Sequence, residues 1–138
     1  MTYSIKKNCK QLKTTISQNQ KKEDIFFSFE FLSALEESDC LDADSGWTPN
    51  YLVHETDTVI PFYEKENSHG EFVFDYAWAN AYFRYGQRYY PKLVMSVPFT
   101  PVDGNRIFSK SNEDGRSALK CLVDYTRQND FSSLHALF

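Results

Sequence analysis

Apolar positions along the chain fall into alternating rhythms. Phe31, Leu32 and Leu35 sit at helical spacing in EFLSALEES, with Asp24 or Ser28 placed to cap that helix. Asp39, Asp42 and Asp44 with Ser45-Gly46 end it in a loop. Trp47-Thr48-Pro49 leads into strand-like YLVHET, and Thr58 to Tyr63 is its return strand after a short connection. KENSHG, residues 65–70, is loop. In EFVFD, Phe72 and Phe74 face one way and Glu71, Val73 and Asp75 the other, as in a half-buried strand. Trp78, Tyr82 and Tyr85 then mark one stripe of a helix that Gly86 stops.

LVMSVPF, residues 93–99, is apolar on both faces, the pattern of a covered central strand. Pro98 cannot donate to a ladder, so the strand must bulge, end or part from its neighbour there. After the loop TPVDGNRIF, Ser111 with Asp114 resembles a capping box. It opens a helix with Ala118, Leu119, Leu122, Val123 and Thr126 on its buried stripe. Asn129-Asp130 ends that helix, and SSLHALF is one more strand. The expected architecture is mixed α/β around a central sheet. The chain stops at Phe138 inside an apolar strand, whereas domain termini usually lie in polar surface segments. The expectation is therefore the front part of something longer.

The 138 residues are enough to bury a core. The net charge of −4 hides an asymmetry: Lys6, Lys7, Lys10, Lys13, Lys21 and Lys22 give residues 1–22 a charge of +6, leaving −10 on the rest. Residues 1–22 are expected to be a solvated basic leader or surface segment, and residues 23–138 the domain proper. The acidic remainder argues against a nucleic-acid groove. No window resembles a signal sequence or a membrane span, and Cys9, Cys40 and Cys121 are odd in number and scattered. That pattern fits reduced thiols and a cytoplasmic location, and it offers no metal site.

Residues 70–101 stand apart. They hold five of the nine tyrosines, one of the two tryptophans and two carboxylates, and they run into the proline-broken strand. Rings with polar tips beside fixed acids suit a partly wet ligand cleft.

FFSFEFLSALEES, GWTP, PFYEKENSHGEFVFDYAWANAY and YYPKLVMSVPFTPVDGNRI together resemble the FemAB-like, predicted N-acyltransferase family of peptidoglycan biosynthesis/recognition proteins. The resemblance runs from about Phe26 to Phe138. It implies an acyl-CoA N-acyltransferase (GNAT-type) sheet flanked by helices, here incomplete, with acyl-CoA as co-substrate and an amine-bearing acceptor. Two departures stand out. The family's His-Ser-Tyr-Gly-Glu run appears as Asn67-Ser68-His69-Gly70-Glu71, and the hairpin before Pro61 is shortened.

In such folds a splayed central strand offers backbone groups to the pantetheine arm, and the following loop and helix hold the pyrophosphate. That assigns Val97, Phe99, Thr100, Val102, Gly104 and Arg106 to the cofactor, with Arg106 as the phosphate cation. The usual Gln/Arg-x-x-Gly-x-Gly/Ala signature is absent, and Glu113 and Asp114 stand at the helix start. Glu71 and Asp75 are placed to orient an amine or take its proton, and Tyr90, with Tyr82 and Tyr89, to protonate the leaving thiolate. Alternatively Asp75 caps the Trp78 helix and Glu71 pairs with Lys92 or Arg88. Trp78, Tyr82 and Lys92 are the candidate substrate contacts. Three function classes follow: a thioester-dependent N-acyltransferase, with an aminoacyl-tRNA-dependent variant; a non-catalytic binding domain; and a fragment without independent function.

Overall fold

The sheet grows from one hairpin. Trp47–His54 and Thr58–Lys65 pair antiparallel from Trp47↔Lys65 to His54↔Thr58, and Glu55 turns the chain at φ +54. The computed structural model describes residues 2–138. Its strands are Tyr3–Lys6 (β1), Trp47–His54 (β2), Thr58–Lys65 (β3), Lys92–Met95 (β4) and Leu134–Ala136 (β5), ordered β1-β2-β3-β4-β5 in one sheet. Neighbours are antiparallel except β4 and β5, which run parallel. The helices are Lys13–Asn19 (α1), Phe29–Glu37 (α2), Tyr76–Arg84 (α3) and Asn112–Gln128 (α4). This is a mixed α+β fold with helices on both sheet faces.

Strand alternation sorts the core into two layers. Leu52, Ile60, Phe62, Leu93 and Met95 pack on Ala118, Cys121 and Leu122 of α4. Tyr51, Val53 and Val59 face the other way, onto Leu12, Ile16, Phe27 and Leu32. Ser28 caps α2 by accepting from the Phe31 amide at 3.2 Å. Ser111 caps α4 by accepting from the Asp114 amide at 3.1 Å. The Asp114 carboxylate turns back to the Ser111 hydroxyl at 2.6 Å, which closes the predicted box one atom short of the backbone.

Two prolines set where β4 leaves the sheet. Val59 both donates to and accepts from Phe108, at 2.8 and 2.9 Å, so alternate β3 residues aim their backbone groups toward β4. Pro61 lies on that same side and has no N–H to offer. β4 pairs with β3 only through Tyr63↔Val94, Glu64↔Leu93 and Lys65↔Lys92, then parts after Met95. The parting comes three residues before Pro98, earlier than that residue alone predicts, because Pro61 weakens the ladder opposite. Phe108 brings the chain back to Val59 and stacks on Phe27 with ring centroids 3.9 Å apart.

Two expectations change. The first 22 residues are not a free leader: Tyr3–Lys6 pairs with β2, and Cys9, Leu12 and Ile16 are buried. The lysines remain exposed on the outside of this segment. EFVFD is not a strand either. Phe72 takes φ +59, Phe72 and Phe74 point to solvent, and Glu71 and Asp75 turn inward. The expected alternation does not hold, since Val73 is exposed with the two phenylalanines and only the two acids are buried.

Leu12→Ala should lower unfolding free energy by about 2–5 kcal/mol in urea titrations. Lys10→Ala should stay within about 0.5 kcal/mol. An unchanged midpoint for Leu12→Ala would show the segment to be peripheral.

Candidate functional site

On the α2 side of the sheet, the apolar layer gives way to charge at the β3–β4 end. Lys65 and Lys92 are directly paired across the two strands, so both side chains leave the same face. Both are buried. Like charges so placed repel, and the long connection between β3 and β4 supplies the compensation. Lys92 Nζ reaches Glu71 Oε1 at 2.8 Å, Asp75 Oδ2 at 2.5 Å and Ser68 Oγ at 3.0 Å. Lys65 Nζ donates to the His69 carbonyl at 2.8 Å and lies 3.8 Å over the Trp47 ring centroid. The Trp47 indole donates to the same carbonyl at 3.1 Å.

Tyrosines extend the cluster outward. Tyr89 donates to Asp75 Oδ2 at 2.5 Å, and the Tyr90 and Ser68 hydroxyls share a bond of 2.7 Å. Tyr90 is half-buried, so the chain Tyr90–Ser68–Lys92 links solvent to the buried ammonium. His135 on β5 approaches from the far side, with Nε2 at 2.8 Å from Ser133 Oγ and 3.4 Å from the Tyr89 hydroxyl.

The two acids differ. Burial opposes ionisation of Asp75, but the bonds from Lys92 and Tyr89 outweigh it and hold the carboxyl down at about 2. At Glu71 burial wins over the pull of Lys92, and its carboxyl is raised above the ordinary range. Glu71 Oε2 also has no hydrogen-bond partner. Burial lowers Lys65 to about 8 against the attraction of Glu71, and burial followed by repulsion from Lys92 lowers His135.

Asp75 stands at the N-cap of α3 without a side-chain capping bond, and Glu71 takes Lys92 as its partner. The structural alternative of ion pairing thus describes Glu71, while Asp75 pairs instead of capping. Neither carboxylate is open to solvent, and Lys92 is committed to both. Of the predicted substrate contacts, Lys92 is buried in the cluster and Tyr82 also turns inward: it packs edge-on to Tyr89 at 5.3 Å and donates to the Ser132 carbonyl at 3.4 Å. Trp78 is 68% exposed, so the predicted apolar stripe is not a buried one.

The second half of the site is the loop after β4. Ser96, Val97 and Pro98 are buried, and the Ser96 hydroxyl has no partner. Thr100 donates its amide to the Val97 carbonyl at 3.2 Å, and Val102 donates to Thr100 at 3.0 Å. Phe99, at φ +60, lays its ring on Gly70, where a Cβ would come within 2.6 Å of it. Gly70 itself has φ +77, so glycine is required there twice over.

Recesses flank this loop. Lys21, Asp24, Phe26, Val102, Gly104 and Asn105 line one of about 480 Å³. Asn105, Ile107, Ser109, Asn112, Gly115 and Arg116 line another of about 300 Å³ against the start of α4. Arg106, assigned to phosphate from the sequence, is buried inside the loop. Its guanidinium donates to the Val102 carbonyl and, at 3.0 Å, to that of Asn105. Arg116 is an exposed cation lining the recess at the helix start, whereas Lys110, also exposed there, pairs with Asp57. Sequence reasoning also missed Lys65, Ser68 and His135, and it named Tyr89 only as a proton donor beside Tyr90, not as a partner of Asp75. The available signal was a lysine in strand register with buried Tyr63.

Residues 7–138 match the FemAB-like family, described as peptidoglycan biosynthesis/recognition. The chain belongs to that family. No curated protein and no solved structure matches it. In this chain the 67–71 run contributes Ser68 Oγ, the His69 carbonyl, Gly70 and the Glu71 carboxylate to the cluster. The His69 side chain itself is exposed, so its substitution leaves these contacts in place. Among the described residues no helix is long and apolar enough to cross a membrane.

Lys92→Met strands two buried acids and should cost about 3–5 kcal/mol of stability. The pH dependence of unfolding separates the acids. Asp75, depressed from 3.8 to about 2, adds stability that is complete above its unfolded value and is lost as pH falls toward 2. Glu71, raised from 4.5, acts oppositely: stability falls as pH rises from 4.5 through its folded value. Glu71→Gln should abolish that decline in a series of melts, and a decline that persists would move its origin elsewhere.

Proposed function

We propose that this FemAB-like protein is an N-acyltransferase of peptidoglycan metabolism, moving an acyl group from the thioester of acyl-CoA to an amine. The observation that carries the reading is the parallel β4–α4–β5 unit, whose first strand parts from β3 after Met95. A strand that leaves its ladder beside a long capped helix is the arrangement an acyl-CoA N-acyltransferase (GNAT-type) sheet uses to hold a thioester. The 111–118 segment carries Asn112-x-x-Gly115-x-Ser117, a relaxed form of the phosphate signature absent in its strict form. Gly115 is buried with Ser109 Oγ only 3.1 Å from where a Cβ would lie, so the loop approaches the helix closely there. Arg116 replaces Arg106 as the cation for the pyrophosphate, and Lys21 stands at the recess beside Gly104.

In this reading, attack by the amine nitrogen on the thioester carbonyl builds an oxyanion, and the C–S bond then breaks. Tyr90 gives its proton to the leaving thiolate, and its bond to Ser68 connects it to Lys92. Glu71 and Asp75 hold Lys92 and shape that path; direct removal of the amine proton falls to water. Most of the rate comes from positioning two substrates.

A second reading, transfer from aminoacyl-tRNA, draws on the exposed lysines of residues 6–22. The −10 charge of the remainder weighs against a tRNA surface.

Titration calorimetry with CoA and acetyl-CoA tests the proposal. Arg116→Ala should weaken binding by about ten-fold, the loss of one charge-assisted hydrogen bond of about 1.5 kcal/mol. Arg106→Ala should instead lower the melting temperature. No heat at millimolar ligand excludes the thioester reading, and binding of aminoacyl-tRNA alone favours the second.

A further inference from the structure

Helix α3 is anchored in an unusual way: none of its residues is buried. It and the segment before it present Phe72, Phe74, Tyr76, Trp78, Phe83 and Tyr85 to solvent, the most exposed being Phe74 at 86%, Tyr85 at 84% and Phe83 at 82%. At about 150–250 Å² per aromatic side chain, this leaves roughly 650–1,050 Å² of ring surface uncovered. The largest apolar patch of an ordinary monomer is about 300–600 Å². Something covers these rings.

We propose that the α3 arm docks on an anionic lipid bilayer, lying at the headgroup level without crossing it. Charge is the first argument. Between residues 72 and 91 the charged groups are Asp75, Arg84 and Arg88. Asp75 is buried on Lys92, so the arm shows solvent only its two arginines, in a chain of net charge −4. The surface is locally cationic on an acidic protein, complementary to anionic headgroups.

Geometry is the second. Tyr76 and Phe83 are seven residues apart and share one flank of the helix; Trp78 and Tyr85 share the opposite flank. A flat protein partner covers one flank, whereas a fluid interface closes around a projecting helix on both. Tyrosine and tryptophan keep a polar tip at the headgroups while their rings reach the acyl boundary. A two-fold pairing of this arm with a second copy gathers four arginines into one interface with no free carboxylate of the arm to pair them, which disfavours a homodimer.

The tryptophans provide the readout. Trp47 is fully buried and Trp78 is 68% exposed, so a change of emission on docking reports Trp78. The full chain is mixed with vesicles of phosphatidylcholine alone or with about one-third phosphatidylglycerol. Expected are a blue shift and co-sedimentation with the anionic vesicles only, both absent in about 0.5 M salt, where screening shortens the reach of charge. Arg84→Gln or Arg88→Gln should each weaken binding about five-fold, and the pair about thirty-fold. Phe83→Ser should weaken it with an unchanged thermal melt. Trp78→Phe should remove the blue shift and keep the sedimentation.

No shift with anionic vesicles overturns the proposal. So does equal binding to both vesicle types, or arginine variants that bind as wild type. A blue shift that appears without lipid and follows a doubling of mass in the ultracentrifuge assigns the surface to a second copy. Acyl-CoA binding by the same preparations is read separately, so failure here leaves the transferase reading untouched.

Discussion

An ammonium ion without water is the constraint around which this protein is arranged. Lys92 sits on an inner strand, buried, with Lys65 beside it. Leaving such a charge unpaired costs several kcal/mol. The connection from β3 to β4 therefore folds back to deliver Glu71, Asp75 and Ser68 to one nitrogen. Turning those groups inward turns Phe72 and Phe74 outward. It also fixes α3 by Asp75, which precedes it, and by Tyr82, not by an apolar stripe. The charged cluster and the bare aromatic arm are two results of one electrostatic demand.

Much of the fold was legible because local signals and long-range packing agree. The hairpin alternates as its register requires, and Ser111 and Asp114 mark the start of α4. Pro98 announced that the central strand would not continue, although Pro61 across the ladder made it end sooner. The failures share a cause. Lysine is taken as a surface residue, so Lys65 went unremarked, and Lys92 was expected as a substrate contact or a partner of Glu71 but not as a core residue. Six lysines in residues 1–22 hid Cys9, Leu12 and Ile16, whose spacing is that of a helix face. In EFVFD the two-residue period suggested a strand, but Val73 is exposed and Glu71 and Asp75 are drawn in by Lys92, which comes from another strand.

The loop after β4 shows the same division. Its position and its glycine could be inferred from the sequence, but the direction of Arg106 could not. That guanidinium meets carbonyls of its own loop; burial works against its charge, and Asp24 and Asp103 offset only part of that. It gives the loop its shape. Membership of the FemAB-like family ties the chain to peptidoglycan biosynthesis/recognition. The chemistry then has to be argued from what remains free: Arg116, Lys21 and Tyr90.

The ring of Phe99 resting on Gly70 joins two regions that otherwise share no side-chain bond described above. Gly70 lies between the His69 carbonyl, which holds Lys65 and Trp47, and Glu71, which holds Lys92. Trp47 meets the same phenyl ring with centroids 5.3 Å apart. Through Trp47, which lies under the Lys65 ammonium, one phenyl ring therefore ties the packing of the post-β4 segment to that of the lysine-bearing edge of the sheet.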